Sequence, residues 1–250
     1  PVYATPFNIP EMKVQHHDGA IDVTKGSNYV TLSYNYIHDH DKTHLVGSSD
    51  TVAADNGPQF LKITLHHNLF ENVTQRLPRV RMGQVHIYNN YYVGQVKPTD
   101  AGREYGFSTG MATGQFGKIF AENNSFTIAP SSTGIEPTIS QLHTVSFKAD
   151  TSTINKCTAV SGNTASDCQT LFYENGAVLN NVAVNLMTAA QNAPASNNVV
   201  LGDASQFWNP INFYPYTFKA APSVEVSVMA NAGAGNCMAC SNFSSASSAA

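Results

Sequence analysis

Val30-Thr31-Leu32-Ser33-Tyr34-Asn35-Tyr36-Ile37 begins on an apolar residue, alternates in character, places Asn sixth and ends on a bulky apolar residue. The same arrangement returns in Ile63-Thr64-Leu65-His66-His67-Asn68-Leu69-Phe70, in Val85-His86-Ile87-Tyr88-Asn89-Asn90-Tyr91-Tyr92 and in Ile119-Phe120-Ala121-Glu122-Asn123-Asn124-Ser125-Phe126. The four starts lie 33, 22 and 34 residues apart. Period-two alternation is a strand signal, and recurrence at this interval marks a repeat architecture. An Asn just past each strand bonds across a bend, and stacked Asn side chains bond to one another. The expected fold is therefore all-β, a right-handed parallel β-helix in which each coil adds strands to the one below. The 22-residue spacing is a lean coil; the longer ones carry loops at 47–58 and 95–117. A β-sandwich would leave the constant Asn offset unexplained.

Away from this repeat the pattern fades. Residues 128–170 are rich in Ser, Thr, Asn and Gly, with a strand-like piece at 142–147. Residues 178–191 suit either a helix or a further coil. The aromatic, Pro-containing run from Trp208 to Tyr216 suits a segment that wraps over a solenoid, and the Ser/Ala-rich residues 241–250 read as a tail or linker. The domain expectation is a β-helix over 1–240, with its chemistry concentrated in 16–94.

Charged residues make up 12% of the 250, and the net charge is −4. That balance argues against general nucleic-acid binding, which needs a basic surface. No stretch approaches the roughly 20 apolar residues of a membrane span. Four cysteines allow three complete pairings. A Cys157–Cys168 bond would close a polar loop, and Cys237-Met-Ala-Cys240 suits a disulfide or free thiols better than metal. The chain opens on Pro1 without an initiator Met, as though taken from something longer.

Three of the chain's four arginines fall within Arg76-Leu77-Pro78-Arg79-Val80-Arg81, which asks for an anionic partner. Lys42 and Arg81 suit carboxylate binding, Arg in bidentate fashion, and Pro78 restricts the backbone that carries the guanidinium groups. Upstream, Asp18 and Asp22 are four apart. On a straight strand they would sit about 13 Å from each other, so one cation takes both only if the chain bends, which Gly19 permits. The other reading is a plain turn with Asp22 solvated. Calcium takes roughly 6–8 oxygens, so two carboxylates need help from water, substrate and a further acid, for which Glu11 is the upstream candidate. The histidines at 16, 17, 38, 40, 66, 67 and 86 lack a zinc-ligand pattern and favour hydrogen bonding within the stack.

His17-Asp18-Gly19-Ala20-Ile21-Asp22, His38-Asp39-His40-Asp41-Lys42, Gly47-Ser48-Ser49-Asp50, His66-His67-Asn68 and the run from Arg76 to Gly83, together with the strand repeats, resemble the pectate lyases of polysaccharide lyase family 1. The resemblance is dense over 16–94. It implies calcium-dependent β-elimination of polygalacturonate by a secreted, extracellular monomer that acts on pectin and takes neither nucleic acid nor membrane as partner. Position by position, it implies Arg76 as the base that removes the C5 proton, Lys42 and Arg81 as substrate-carboxylate ligands, and Asp18 and Asp22 as ligands to Ca²⁺. An arginine base, whose proton is held to above about 12, implies an alkaline optimum. The family's upstream Trp-Ile-Asp-His-like motif has no counterpart: the sole tryptophan is Trp208. The N-terminal coils also look missing. Two alternatives follow: a pectin lyase acting on methylated pectin without calcium, and a catalytically impaired β-helix that only binds acidic polysaccharide.

Overall fold

A computed structural model describes residues 18–50, 60–98, 105–146, 151–193, 199–208 and 210–234. Three strands make each coil. The first coil is β1 (Ile21–Val23), β2 (Val30–Ser33) and β3 (Tyr36–Lys42); the second is β4 (His44–Val46), β5 (Lys62–His66) and β6 (Leu69–Gln75). The third is β7 (Arg79–Val80), β8 (Gln84–Tyr88) and β9 (Tyr91–Gln95), and the fourth β10 (Met111–Thr113), β11 (Lys118–Glu122) and β12 (Ser125–Ala129). The fifth is β13 (His143–Val145), β14 (Thr170–Asn175) and β15 (Ala177–Leu179). Corresponding strands pair in parallel into three sheets: sheet A (β1-β4-β7-β10-β13), sheet B (β2-β5-β8-β11-β14) and sheet C (β3-β6-β9-β12-β15). This is the expected parallel β-helix. Its crossovers from one coil to the next take the right-handed sense that parallel connections adopt.

The repeat read from the sequence is the register itself. Val30 lies beside Ile63, Ile63 beside Val85 and Val85 beside Ile119 on sheet B, and Phe172 continues the column in the fifth coil. These side chains and their neighbours fill the bore. On sheet C, Phe70, Tyr92 and Phe126 stack with centroids 5.0 and 4.5 Å apart and planes within 10° of parallel. All three are buried, and each such burial stabilises the fold by roughly 1.5–3 kcal/mol.

The repeated Asn turns from sheet B to sheet C. Asn68 Oδ1 accepts the Asn35 backbone N–H and Nδ2 at 3.0 Å each. Asn90 Oδ1 accepts the same groups of Asn68 at 3.0 and 2.9 Å, and Asn124 Oδ1 those of Asn90 at 3.0 and 3.2 Å. Each Nδ2 also reaches a strand carbonyl: Asn68 to Leu32, Asn90 to Leu65 and Asn124 to Ile87. In the fifth coil Val178 pairs with Ser125, so Ala177 takes the next rung. Glu174 substitutes there: its carboxylate accepts the N–H groups of Ala177 at 2.7 Å and Leu186 at 3.1 Å. Burial pushes the Glu174 carboxyl up, and these two donors oppose the shift.

Beyond the fifth coil the chain leaves the repeat. Residues 178–191 are neither one helix nor one coil. β16 (Val182–Val184) folds back antiparallel to β15, and a short helix follows, while β17 (Val199–Leu201) extends sheet B. Among the short helices, α1 (Ile139–Leu142) precedes β13, and α2 (Thr151–Thr158) carries Cys157, bonded to Cys168. α3 is Met187–Gln191, and α4 (Val224–Asn231) seats Val224 and Val228 on Leu69 and Tyr91 of sheet C. The aromatic run does wrap the solenoid: it crosses sheet B, with Trp208 N–H on Gln84 Oε1 at 3.2 Å and Tyr216 Oη on Glu122 at 2.9 Å. His66 stacks on Tyr88 at 4.8 Å, and His86 on Tyr88 and Phe120 at 4.7 and 5.0 Å, so these histidines serve the outer columns of sheet B. Glu11, Cys237, Cys240 and the 241–250 tail lie outside the described residues.

Candidate active site

Sheet C hands over to sheet A at one corner, and the candidate residues leave the chain there on successive coils. The Ala20 N–H donates to the Lys42 carbonyl at 3.1 Å, the Thr43 N–H to Gln75 at 3.1 Å and the His44 N–H to Arg76 at 2.9 Å. Asp18, Lys42 and Arg76 are thereby brought to neighbouring levels by backbone ladders rather than by loops. One strand further on, Asp22, Leu45 and Arg79 are side by side on sheet A.

The bend expected between the two aspartates is present. A Cβ at Gly19 would overlap the Asp22 carboxylate, so the acid folds back over the residue next to Asp18, and any larger side chain at 19 would displace it. Asp22 Oδ1 accepts the Leu45 N–H at 3.0 Å, which ties the bend to the second coil. Asp18 stays more than half exposed and pairs with Lys42 Nζ. The Lys42 hydrogen bond holds the Asp18 carboxyl below the usual carboxylate range; burial opposes it, and the charges of Lys42, Arg76 and His40 add to the lowering.

The arginine segment is fixed at both ends. The Leu77 N–H donates to Gly110 O at 3.0 Å and the Ala112 N–H to Pro78 O at 2.9 Å. The Arg81 N–H donates to Val46 O at 2.8 Å. Gly47, at φ +79°, passes so close to the Arg81 carbonyl that a Cβ there would overlap it. Arg76 itself has φ +62°, a left-handed conformation that non-glycine residues rarely hold. Leu77 and Val80 point into the bore with no exposure, which directs Arg76, Arg79 and Arg81 outward. Arg81 Nε meets Asp50 Oδ1 at 2.9 Å. Burial holds the Arg79 guanidinium below the ordinary arginine range; Arg81 and Arg76 add to this and Asp50 opposes it. The buried Nε of Arg76 and that of Arg79 have no hydrogen-bond acceptor among the described residues.

The corner thus gathers four cations, Lys42, Arg76, Arg79 and Arg81, against three carboxylates, Asp18, Asp22 and Asp50, on a chain that is acidic overall. The excess of cations gives this corner the charge to draw a polyanion. Sequence reading assigned no role to Asp50 and gave Arg79 none beyond membership of the arginine cluster, although both lay inside the blocks it singled out. The Arg81–Asp50 contact joins two coils, which no local pattern reveals. Among the described residues no group of three or more His, Cys, Asp or Glu is arranged to hold a metal ion.

The family model described as pectate lyase matches residues 9–237. A pectate lyase from Bacillus subtilis (strain 168) is 39% identical over 223 residues, covering 89% of this chain and 43% of the relative. Pectate lyase E of Dickeya chrysanthemi is 45% identical over 117 residues, 47% of this chain and 29% of that protein. Among solved structures, a pectate lyase from Acidovorax avenae subsp. citrulli superposes with a TM-score of 0.74 at 37% identity, over 89% of this chain and 43% of that one. A pectate lyase bound to a hexasaccharide superposes at 0.64 and 34% identity, over 89% and 45%. The chain therefore spans less than half the length of these relatives.

Proposed function

This chain belongs to the pectate lyase family, and we propose that it cleaves polygalacturonate by calcium-dependent β-elimination at the corner between sheets C and A. The observation that carries the reading is the convergence there of Arg76, Lys42 and Arg81 with Asp18 and Asp22, on backbone pinned from both sides. Lys42 and Arg81 hold the C6 carboxylate of the uronate. Their charge stabilises the enolate-like density that develops as the adjacent C5 proton leaves, an electrostatic effect that is commonly the largest in such catalysis. Arg76 in its neutral form takes that proton. The C5–H pair becomes the C4–C5 double bond, the C4–O bond breaks, and the departing oxygen picks up a proton. Guanidines hold their proton to above about 12, so turnover rises toward alkaline pH.

Asp18 and Asp22 fit calcium as part of its shell: two hard carboxylates on one bend, one of them open to solvent. The rest of the roughly 6–8 oxygens falls to water and to uronate carboxylates. When bound, the ion withdraws charge from the substrate carboxylate and so acidifies the C5 proton. The Cys157–Cys168 bond supports an oxidising, extracellular setting.

The test is the ultraviolet absorbance of the conjugated unsaturated product during incubation with polygalacturonate, with calcium and then with EDTA. A calcium-dependent rise is expected; a rise that EDTA leaves intact removes the metal from the reading. Terbium luminescence lost in Asp18→Asn and Asp22→Asn reports the ion site apart from turnover. A second reading rests on the two-carboxylate count: a β-helix that retains acidic polysaccharide without cleaving it. Retention on pectate with flat absorbance from folded protein selects that reading.

A further inference from the structure

On sheet B, away from the cationic corner, a solvent-open pocket of about 210 Å³ is lined by Tyr29, Thr31, Thr64, Trp208, Phe213 and Tyr214. Its walls are aromatic. Tyr29 and Phe213 lie 5.3 Å apart, Trp208 and Phe213 5.1 Å, and Trp208 and Tyr214 6.2 Å. Tyr29 and Phe213 are each more than half exposed. One large exposed apolar side chain needs no explanation, but several converging on a concavity mark a binding surface.

The hydroxyls at this pocket are held in place. Thr31 and Thr64 are adjacent on the outer face of sheet B. Thr64 Oγ1 meets Tyr214 Oη at 2.5 Å. Tyr214 Oη lies 3.1 Å from His86 Nδ1, and His86 Nε2 lies 2.9 Å from Glu122 Oε2, which also accepts from Tyr216. His86 is buried and Glu122 nearly so, so the relay fixes the Tyr214 ring from behind. The buried indole N–H of Trp208 has no acceptor among the described residues.

From this arrangement we propose that the pocket is a second saccharide-binding site, specific for an uncharged pyranose ring. Aromatic faces take the C–H face of such a ring, and the threonine and tyrosine hydroxyls take its hydroxyls. None of the six lining residues is charged; Lys62 stands at the edge, its Nζ 5.8 Å from the Tyr29 ring centroid, so the lining itself gives a uronate carboxylate no ionic partner. At about 210 Å³ the pocket is smaller than the roughly 300–1,000 Å³ of drug-sized ligand sites, which limits it to a single sugar ring. The site binds without chemistry and is independent of the elimination reading.

Trp208 is the chain's only tryptophan, so tryptophan fluorescence reports this pocket alone. Titration with methyl β-D-galactopyranoside should shift the emission saturably, and trigalacturonate should not. Phe213→Ala, an exposed position, and Thr64→Val, which keeps the shape and removes the hydroxyl, should each raise the half-saturation concentration about tenfold or more without changing pectate turnover. No saturable shift with the neutral sugar overturns the proposal. So does a shift of equal affinity in both variants, or a saturable shift produced by trigalacturonate alone.

Discussion

Replacing Asn90 by Leu removes the centre of the asparagine ladder while keeping the branched outline of the side chain. Asn90 has no exposure. Its Oδ1 is the acceptor for the Asn68 backbone N–H at 3.0 Å and for Asn68 Nδ2 at 2.9 Å. Its own Nδ2 reaches Leu65 O at 3.0 Å and Asn124 Oδ1 at 3.2 Å. Asn68 Nδ2 keeps Leu32 O, and Asn124 Oδ1 keeps the Asn90 backbone N–H. One buried donor, the Asn68 N–H, is left without a partner, which costs about 1–3 kcal/mol, and about two further net bonds of roughly 0.5–1.5 kcal/mol each are lost. The expected loss is about 2–6 kcal/mol, a large share of the roughly 5–15 kcal/mol that holds a domain together. Asn35→Leu is the matched control. It removes one Nδ2 bond and leaves the Asn35 N–H on Asn68 Oδ1, so its cost is about 1 kcal/mol or less. Urea unfolding followed by circular dichroism measures both. Equal costs at the two positions, or a loss below about 1 kcal/mol for Asn90→Leu, would refute the ladder as the source of register stability.

Arg76→Lys should abolish nearly all elimination while pectate retention persists; turnover close to the parent's removes Arg76 as the base. Asp50→Asn frees Arg81 Nε from its 2.9 Å partner. Because Asp50 is well exposed, that contact is worth only about 0.5–1 kcal/mol, and KM should shift two- to fivefold with little change in kcat; a kcat collapse with KM unchanged contradicts a positioning role. Burial takes the His143 imidazole down to about 3, against a backbone bond to Leu186. His66 falls to about 4 by burial, with His67 and His86 adding. Below pH 6.5 the unfolded chain therefore binds more protons than the folded one. These groups contribute full stability above that pH and lose it as pH falls, by about 1.4 kcal/mol per pH unit for fully buried His143. Glu174, raised by burial, acts in the opposite direction, so the comparison is with His143→Gln, whose urea midpoint should fall less between pH 6.5 and 5; an identical fall in both proteins contradicts the assignment.

The parts of the fold visible in the sequence were those that repeat. Sheet B announced itself because Val30, Ile63, Val85 and Ile119 face the bore in one column, and the turn into sheet C because the same Asn sits at each crossing. Sheet A stayed hidden except at β13, which the strand-like piece at 142–147 contains. Its strands are two or three residues long, as in Arg79–Val80, too short for any period to emerge. The fifth coil was missed because Glu174 and Ala177 replace the Asn that would have marked it. At the site, Gly19 as a bend and Arg76 to Arg81 as an anchored cationic segment were legible from residue chemistry. The pairing of Lys42 with Asp18 and of Arg81 with Asp50 was not, because each joins different coils. The Thr64–Tyr214 contact spans 150 positions, and only the general expectation of a wrapping segment came near it.

The ladder has a direction. Asn35, Asn68 and Asn90 each donate the backbone N–H and amide nitrogen to the side-chain oxygen of the rung in the following coil, so the side-chain amides align head to tail and polarise one another. A coil added inside this stack must satisfy one condition at that turn, an Asn in the sixth place, and it then inherits both neighbours' bonds. The intervals of 33, 22 and 34 residues already coexist on one such file of amides. Loop length is thereby uncoupled from coil pitch. Duplication can lengthen this solenoid, and insertion can rebuild its rims, while the corner that gathers Asp18, Lys42 and Arg76 keeps its spacing.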